Sequence, residues 1–249
     1  MTSTTQPRAR IFGAMTLAAL AVGGLSACGP LDNTTFKDDA TVASKITAVR
    51  VDGNADGFRI RGKQNLTKTA VHREVTYRGK TKPEGPTYRV ENGVLVLSGC
   101  GNHCSVDYTV DVPAGIPVTG STKAGSMNLS EVGAVKVSAE DGKIEVNGST
   151  GTVDVRTTNG SIEAKKLRGP DVTAKASNGA VSLTPATAQN VTAQTTNGTV
   201  TVTVPPAKYH VSAQTQNGDK NLSIPDDPSA PFSVNLATDN GEVTLKPAK

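Results

Sequence analysis

The chain has 249 residues with 25 Gly, 4 Phe, 4 Tyr and no Trp, so any core must be filled by Val, Ala, Ile, Leu and Thr methyls. A hydrophobic fraction of 36% and 19% charged residues of both signs argue against a disordered chain. The net charge of +4 is too small to point to nucleic acid as a partner.

Taken in chain order, Arg8 and Arg10 precede Ile11 to Leu25, a run of 15 residues without a charge. As a helix it would reach about 22 Å, short of the roughly 30 Å hydrocarbon core, so an export signal fits better than a membrane span. The run ends in Leu25-Ser26-Ala27-Cys28-Gly29, which resembles the lipobox of bacterial prolipoproteins. The resemblance implies diacylglyceryl transfer to Cys28 and cleavage before it. An ordinary signal peptide that happens to carry a cysteine is the alternative. Arg8 and Arg10 are not adjacent, which favours general secretion over a twin-arginine route. The expectation is a signal peptide over residues 1–27 and an exported lipoprotein, anchored through acyl chains to the outer face of the cell membrane. Removing residues 1–27 leaves 24 Lys+Arg against 22 Asp+Glu, a net charge of +2.

Residues 28–44 read as a lipidated flexible tether, and residues 45–249 as one β domain. Short strands are predicted over 46–51, 58–61, 71–77, 88–90, 94–97 and 106–112, punctuated by Gly, Asn, Asp and Pro. Lys80 to Pro86 reads as an exposed loop. With Cys28 acylated, Cys100 and Cys104 remain, an even number in an oxidising compartment, and a disulfide across their short turn is expected. A metal site built from Cys100, His103 and Cys104 is the sharper alternative, but it lacks a nearby fourth ligand.

From Val118 to Leu245 the sequence repeats. Apolar or small residues alternate up to an Asn-Gly or Asp-Gly pair, and a second alternating pair follows. The pairs are Asp141-Gly142, Asn159-Gly160, Asn178-Gly179, Asn197-Gly198, Asn217-Gly218 and Asn240-Gly241, with a degenerate first copy at Ala124-Gly125. The turn glycines are separated by 17, 18, 19, 19, 20 and 23 residues. Alternation on both sides implies strands with one buried face, and the pair implies a sharp corner in which Asn and Gly supply positive φ. In the copy at Asn217-Gly218 the apolar pair comes late, at Leu222 and Ile224, implying a two-residue insertion.

Each Asn-Gly could be a hairpin turn in a β-sandwich, or a corner in a β-solenoid of about seven coils of 17–23 residues. The near-constant period favours the solenoid, because a stacked coil must match its neighbour in length. Stacking would also align Asn159, Asn178, Asn197 and Asn217 for an amide ladder. The last coil would present an edge shielded by Lys246, Pro247 and Lys249. The export signal, the strands from Ile46, the Tyr88–Leu97 segment, the Cys100/Cys104 pair running into Val106 to Pro113, and the Asn-Gly repeats together resemble the bacterial "putative adhesin" β-strand-repeat domain of unknown function. That resemblance covers about residues 45 to 245 and brings no catalytic residues with it.

No catalytic, cofactor or metal motif is read. His72, His103 and His210 are scattered without a nucleophile motif, and Asp38-Asp39 and Asp226-Asp227 sit in loop-like sequence. The densest charged group is Glu140, Asp141, Glu145, Asp154 and Glu163, on adjacent coils, where a carbohydrate-active solenoid enzyme would need its carboxylates. The expected function is a non-catalytic binding or adhesion-like module of the cell envelope, contacting an envelope polymer or a membrane protein. A structural or sensory accessory acting through a membrane partner is the alternative.

Overall fold

The computed structural model describes residues 33–53, 55–79 and 81–248. The leader, the lipobox and Cys28 lie outside the described residues. The described residues form 21 strands in two sheets, and no helix is found among them.

The repeats are the simplest part. Pairs of strands flank each corner: β8 (Val118–Thr122) with β9 (Ser126–Val132), β10 (Val135–Asp141) with β11 (Ile144–Ser149), and β12 (Val153–Asn159) with β13 (Ile162–Leu167). They continue as β14 (Asp171–Asn178) with β15 (Val181–Pro185), β16 (Asn190–Asn197) with β17 (Val200–Val204), β18 (Tyr209–Asn217) with β19 (Lys220–Leu222), and β20 (Phe232–Asn240) with β21 (Val243–Pro247). Within each pair the first strand joins one sheet and the second joins the other. Successive coils pair in parallel, Val135 with Val153 and Ile144 with Ile162. A hairpin would pair the two arms of one copy antiparallel in a single sheet. The fold is therefore an all-β solenoid, and the sandwich alternative is set aside.

Two further rungs precede these seven. The strands β2 (Ala48–Asp52) and β3 (Gly57–Lys63) stack in parallel on β8 and β9. The strands β6 (Val94–Ser98) and β7 (Cys104–Pro113) stack in parallel on β2 and β3. The N-terminal strands thus belong to the solenoid, which has nine rungs among the described residues. At this end β5 (Tyr88–Glu91) pairs antiparallel with β6, while β4 (Thr69–Arg78) pairs antiparallel with β7. Outside β4, antiparallel to it, lies β1 (Asn33–Val42). This corrects the tether assigned to residues 28–44. Alternating residues such as Phe36, Asp38 and Ala40 turn toward the sheet, so ten of those residues complete an edge.

Rung order departs from chain order at both ends. The rung β2/β3 lies between β6/β7 and β8/β9, and β20/β21 lies between β16/β17 and β18/β19. Lys246 and Pro247 therefore flank an interior rung, and the open edge is β18/β19. In that rung Lys220 pairs with Val243 and Leu222 with Leu245. No two-residue insertion exists: Lys220 occupies the first inward position itself. A lysine in that slot, on a strand of three residues, discourages another strand from adding there.

The core is one set of columns running through the rungs. One column reads Tyr108, Phe58, Met127, Ile144, Ile162, Val181, Val200 and Val243 in register. All eight are buried, and the side chains shrink along this column from Tyr108 to Val243. Tyr108 and Phe58 stack with ring centroids 5.8 Å apart. Burying each Val, Ile or Leu of such a column stabilises the fold by roughly 1.5–3 kcal/mol relative to exposure.

The corner glycines are needed for a reason the repeat did not reveal. A Cβ on Gly198 would lie 2.3 Å from the carbonyl oxygen of Gly179, and one on Gly241 would lie 2.0 Å from that of Gly198. Rungs approach so closely at the corner that any side chain there meets backbone. Positive φ accompanies this at Gly142, Gly179, Gly198, Gly218 and Gly241, but Gly160 has none and is just as crowded. No corner Asn has positive φ either, so the asparagines serve another purpose.

Candidate functional site

That purpose is a ladder. Asn159 Nδ2 donates to Asp141 Oδ1 at 2.9 Å, Asn178 to Asn159 at 3.0 Å and Asn197 to Asn178 at 2.8 Å. The next rungs follow spatial order, with Asn240 donating to Asn197 and Asn217 to Asn240, both at 2.9 Å. Every amide donates toward the N-terminal end, so the Asp141 carboxylate terminates the ladder as an acceptor and the Asn217 side-chain oxygen faces the open edge. Inside the corner the hydroxyls of Thr195, Thr238 and Thr215 each donate at 2.9 Å to the glycine carbonyl of the adjoining rung. These residues build a corner and form no reactive group.

Cys100 and Cys104 form a disulfide with Cα atoms 5.7 Å apart. It closes the β6–β7 corner, the place that Asn-Gly takes in the regular rungs, and His103 adopts positive φ there. With both sulfurs in that bond, the thiolates a metal site would need are gone.

The acidic residues do not converge. Glu140, Asp141 and Asp154 stand on the sheet that holds β8, β10 and β12, here the first sheet. Glu145 and Glu163 stand on the second, which holds β9, β11 and β13, and both are bound by Lys143. Asp38 accepts two hydrogen bonds of 2.7 Å from Arg73, which also donates to the Gly85 carbonyl at 3.1 Å. The Arg73 hydrogen bonds hold the Asp38 carboxyl below its usual range. Asp39 pairs with His72 at 2.7 Å, and Asp226 with His210 at 2.9 Å. Asp227 accepts from Ser229 Oγ at 2.6 Å. Burial pushes the Tyr108 phenol up to about 12, and its hydroxyl donates to the Thr87 or Ser98 carbonyl. Apart from the Asp227–Ser229 contact, which lies within one loop, each of these groups fastens one strand or loop to another.

What the stack does assemble is a surface groove of about 1030 Å³ on the first sheet, beside the corner. It crosses β2, β8, β10, β12, β14, β16 and β20. One wall is a registered row: Asp52, Ser121, Ser138, Arg156, Lys175, Gln194 and Ala237. The other wall is Lys123, Glu140, Thr158, Ser177, Thr196 and Asp239. Alternation puts both rows outside, because the residues between them, such as Thr157 and Thr195, turn inward and are buried. Arg156, Lys175 and Gln194 did not stand out in the sequence. The available signal was the repeat itself, whose outward positions become rows once the rungs are in register.

A family model described as Toastrack DUF4097 matches residues 117–246, just over half of the chain. The chain belongs to this family. The Toastrack match begins one residue before β8 and covers the seven regular rungs, leaving β2/β3 and β6/β7 outside it. Among solved structures, one described as a "putative adhesin" from Parabacteroides distasonis is 14% identical, covering 88% of this chain and 98% of its own, with a TM-score of 0.44. A second, from Parabacteroides merdae with the same description, is 15% identical over 86% of this chain and 96% of its own, with a TM-score of 0.39. A "putative cell adhesion protein" from Clostridium sporogenes is 15% identical over 86% of this chain and 100% of its own, with a TM-score of 0.36. No curated protein matches the chain.

Proposed function

We propose that this Toastrack protein is a non-catalytic, adhesion-like binding module. A lipid on Cys28 holds it at the outer face of the cell membrane, and it contacts an envelope polymer along the groove. The observation that carries the reading is the groove's unbroken register. Seven rungs line the groove in two straight rows, one of seven residues and one of six, all polar but Ala237, and a straight comb of donors and acceptors suits an extended ligand better than a compact one. Beside the groove Arg156 pairs with Asp154 and Asp52 with Arg89, and among the described residues none forms a nucleophile with an adjacent base. Changing Cys28 to Ser should release the protein to the medium, and the released chain should bind purified envelope polymer saturably. Persistent membrane attachment of that variant would refute the anchor, and turnover of the polymer would refute the binding role.

A second reading, an envelope accessory acting through a membrane protein, is favoured by one feature. The terminal rung leaves Leu222 43% exposed, the sole large apolar side chain so placed among the described residues. Capture of a single membrane protein, lost on Leu222→Asp, would move the assignment there.

A further inference from the structure

We infer that the groove's ligand is a linear, extended glycan without net charge, seated at about one sugar per rung. This rests on the reading that the groove is the ligand-contacting surface and adds the chemical class of what it holds.

The first argument is period. Rungs repeat at about 4.8 Å, and the row from Ser121 to Ala237 runs without a register slip. A rigid comb selects a ligand whose own repeat is commensurate with it. An extended peptide presents same-side groups every 6.6 Å or so and falls out of step within about two rungs. A chain of equatorially linked pyranoses stays straight and advances by close to one rung per sugar, with hydroxyls along both edges to meet both rows. The groove crosses seven strands, so its six spacings, about 29 Å, accommodate about six sugars.

The second argument is charge. Lys123, Arg156 and Lys175 stand against Asp52, Glu140 and Asp239, three of each sign among the groove's lining residues. A polyanion bound here would meet carboxylates at both ends of the groove and no net counter-charge. The third argument is chemistry. The walls carry hydroxyl, amide, ammonium, guanidinium and carboxylate groups, which match a polyol. No aromatic residue lines the groove, so sugar stacking is absent and each rung contributes weakly. Affinity must then accumulate along the chain.

The test is calorimetric titration of the full chain, in detergent micelles, with chito- and cello-oligosaccharides of two to eight sugars. Kd should fall several-fold with each added sugar up to about six and then level off. Lys175→Ala and Gln194→Ala, both on half-buried outer positions, should each weaken hexasaccharide binding by five-fold or more. Amide chemical-shift changes on the unsubstituted chain, confined to β8, β10, β12, β14, β16 and β20, provide a readout that needs no variant. Length-independent binding, or tighter and strongly salt-dependent binding of polyglutamate, would overturn the inference. If no oligosaccharide binds but envelope polymer is retained by the native chain and lost from the Lys175→Ala variant, the glycan assignment fails and the groove reading survives. If neither binds, both fail.

Discussion

The two ends of this solenoid are finished by opposite means. At the N-terminal end β5, β4 and β1 run antiparallel against the last parallel rung, and Arg73, 8% exposed, clamps Asp38 of β1 to the loop before β5. Tyr108 and Phe58 stack inside this end and the disulfide closes its corner, while Tyr209 of β18 is buried at the other end. At the C-terminal end no further strand pairs with β18 or β19. Val211 and Ala213 are half-buried where their counterparts Val234 and Leu236 are buried. That edge is protected by a substituted lysine and by the connection to β20, in which Asp226 accepts a 2.8 Å hydrogen bond from the Val211 amide and the Asp227 amide donates to the Tyr209 carbonyl. The contrast shows that a stack of like rungs can end by adding strands of another direction or by spoiling its last rung.

The sharpest way to break the comparison is to truncate one inward leucine at each end. Leu97→Ala, in a fully buried position of β6, should cost about 2–5 kcal/mol by denaturant unfolding. Leu222→Ala, in the exposed rung, should cost less than about 1 kcal/mol. Equal costs would mean that the last rung is packed as tightly as the first.

Next in size is the pair of polar clamps. Arg73→Met should cost about 2 kcal/mol, since a buried guanidinium that donates to a carboxylate and a carbonyl is lost. Both Asp38, through Arg73, and Asp226, through the Val211 amide, have carboxyls held below the ordinary range. A depressed folded pKa means stability that is complete above about pH 4 and lost as pH falls through the depressed value. Amide resonances of β1 and of Val211 should therefore shift in acid while those of β14 stay in place. Simultaneous loss of all three would show that the ends are not separately fastened.

The smallest effect concerns the amide ladder. Asn178→Ala removes one donated and one accepted hydrogen bond and should cost about 1 kcal/mol, whereas Asn217→Ala removes one at the edge and should cost a few tenths. Thermal melts of the two variants would separate them, and indistinguishable melts would show that the ladder follows the stack and does not support it.

Much of this was legible beforehand because it is periodic. Val-x-Val alternation around Asn-Gly specifies an inward face, a corner and a rung length, and equal rung lengths imply stacking. The short strands from Ile46 to Val112 were visible by the same alternation. β1 was not, since its Asp38-Asp39 pair reads as solvent-facing polarity until Arg73 and His72 of β4 are found beside it. The groove was hidden for a related reason. Its residues are the ones the alternation leaves unconstrained, and a wall exists only after Ser138, Arg156, Lys175 and Gln194 come from four coils into one line.

From sequence alone came the all-β class, the corner positions, the inward residues and the expectation of an exported, lipid-bearing chain. Only the tertiary structure decided which rung lies next to which. Local alternation is indifferent to whether the final coil is added outside its predecessor or slipped beneath it. Packing is not indifferent, because Val243 and Leu245 fill the gap beside β17 and Lys220 does not, so the better apolar rung goes inside and the poorer one becomes the edge.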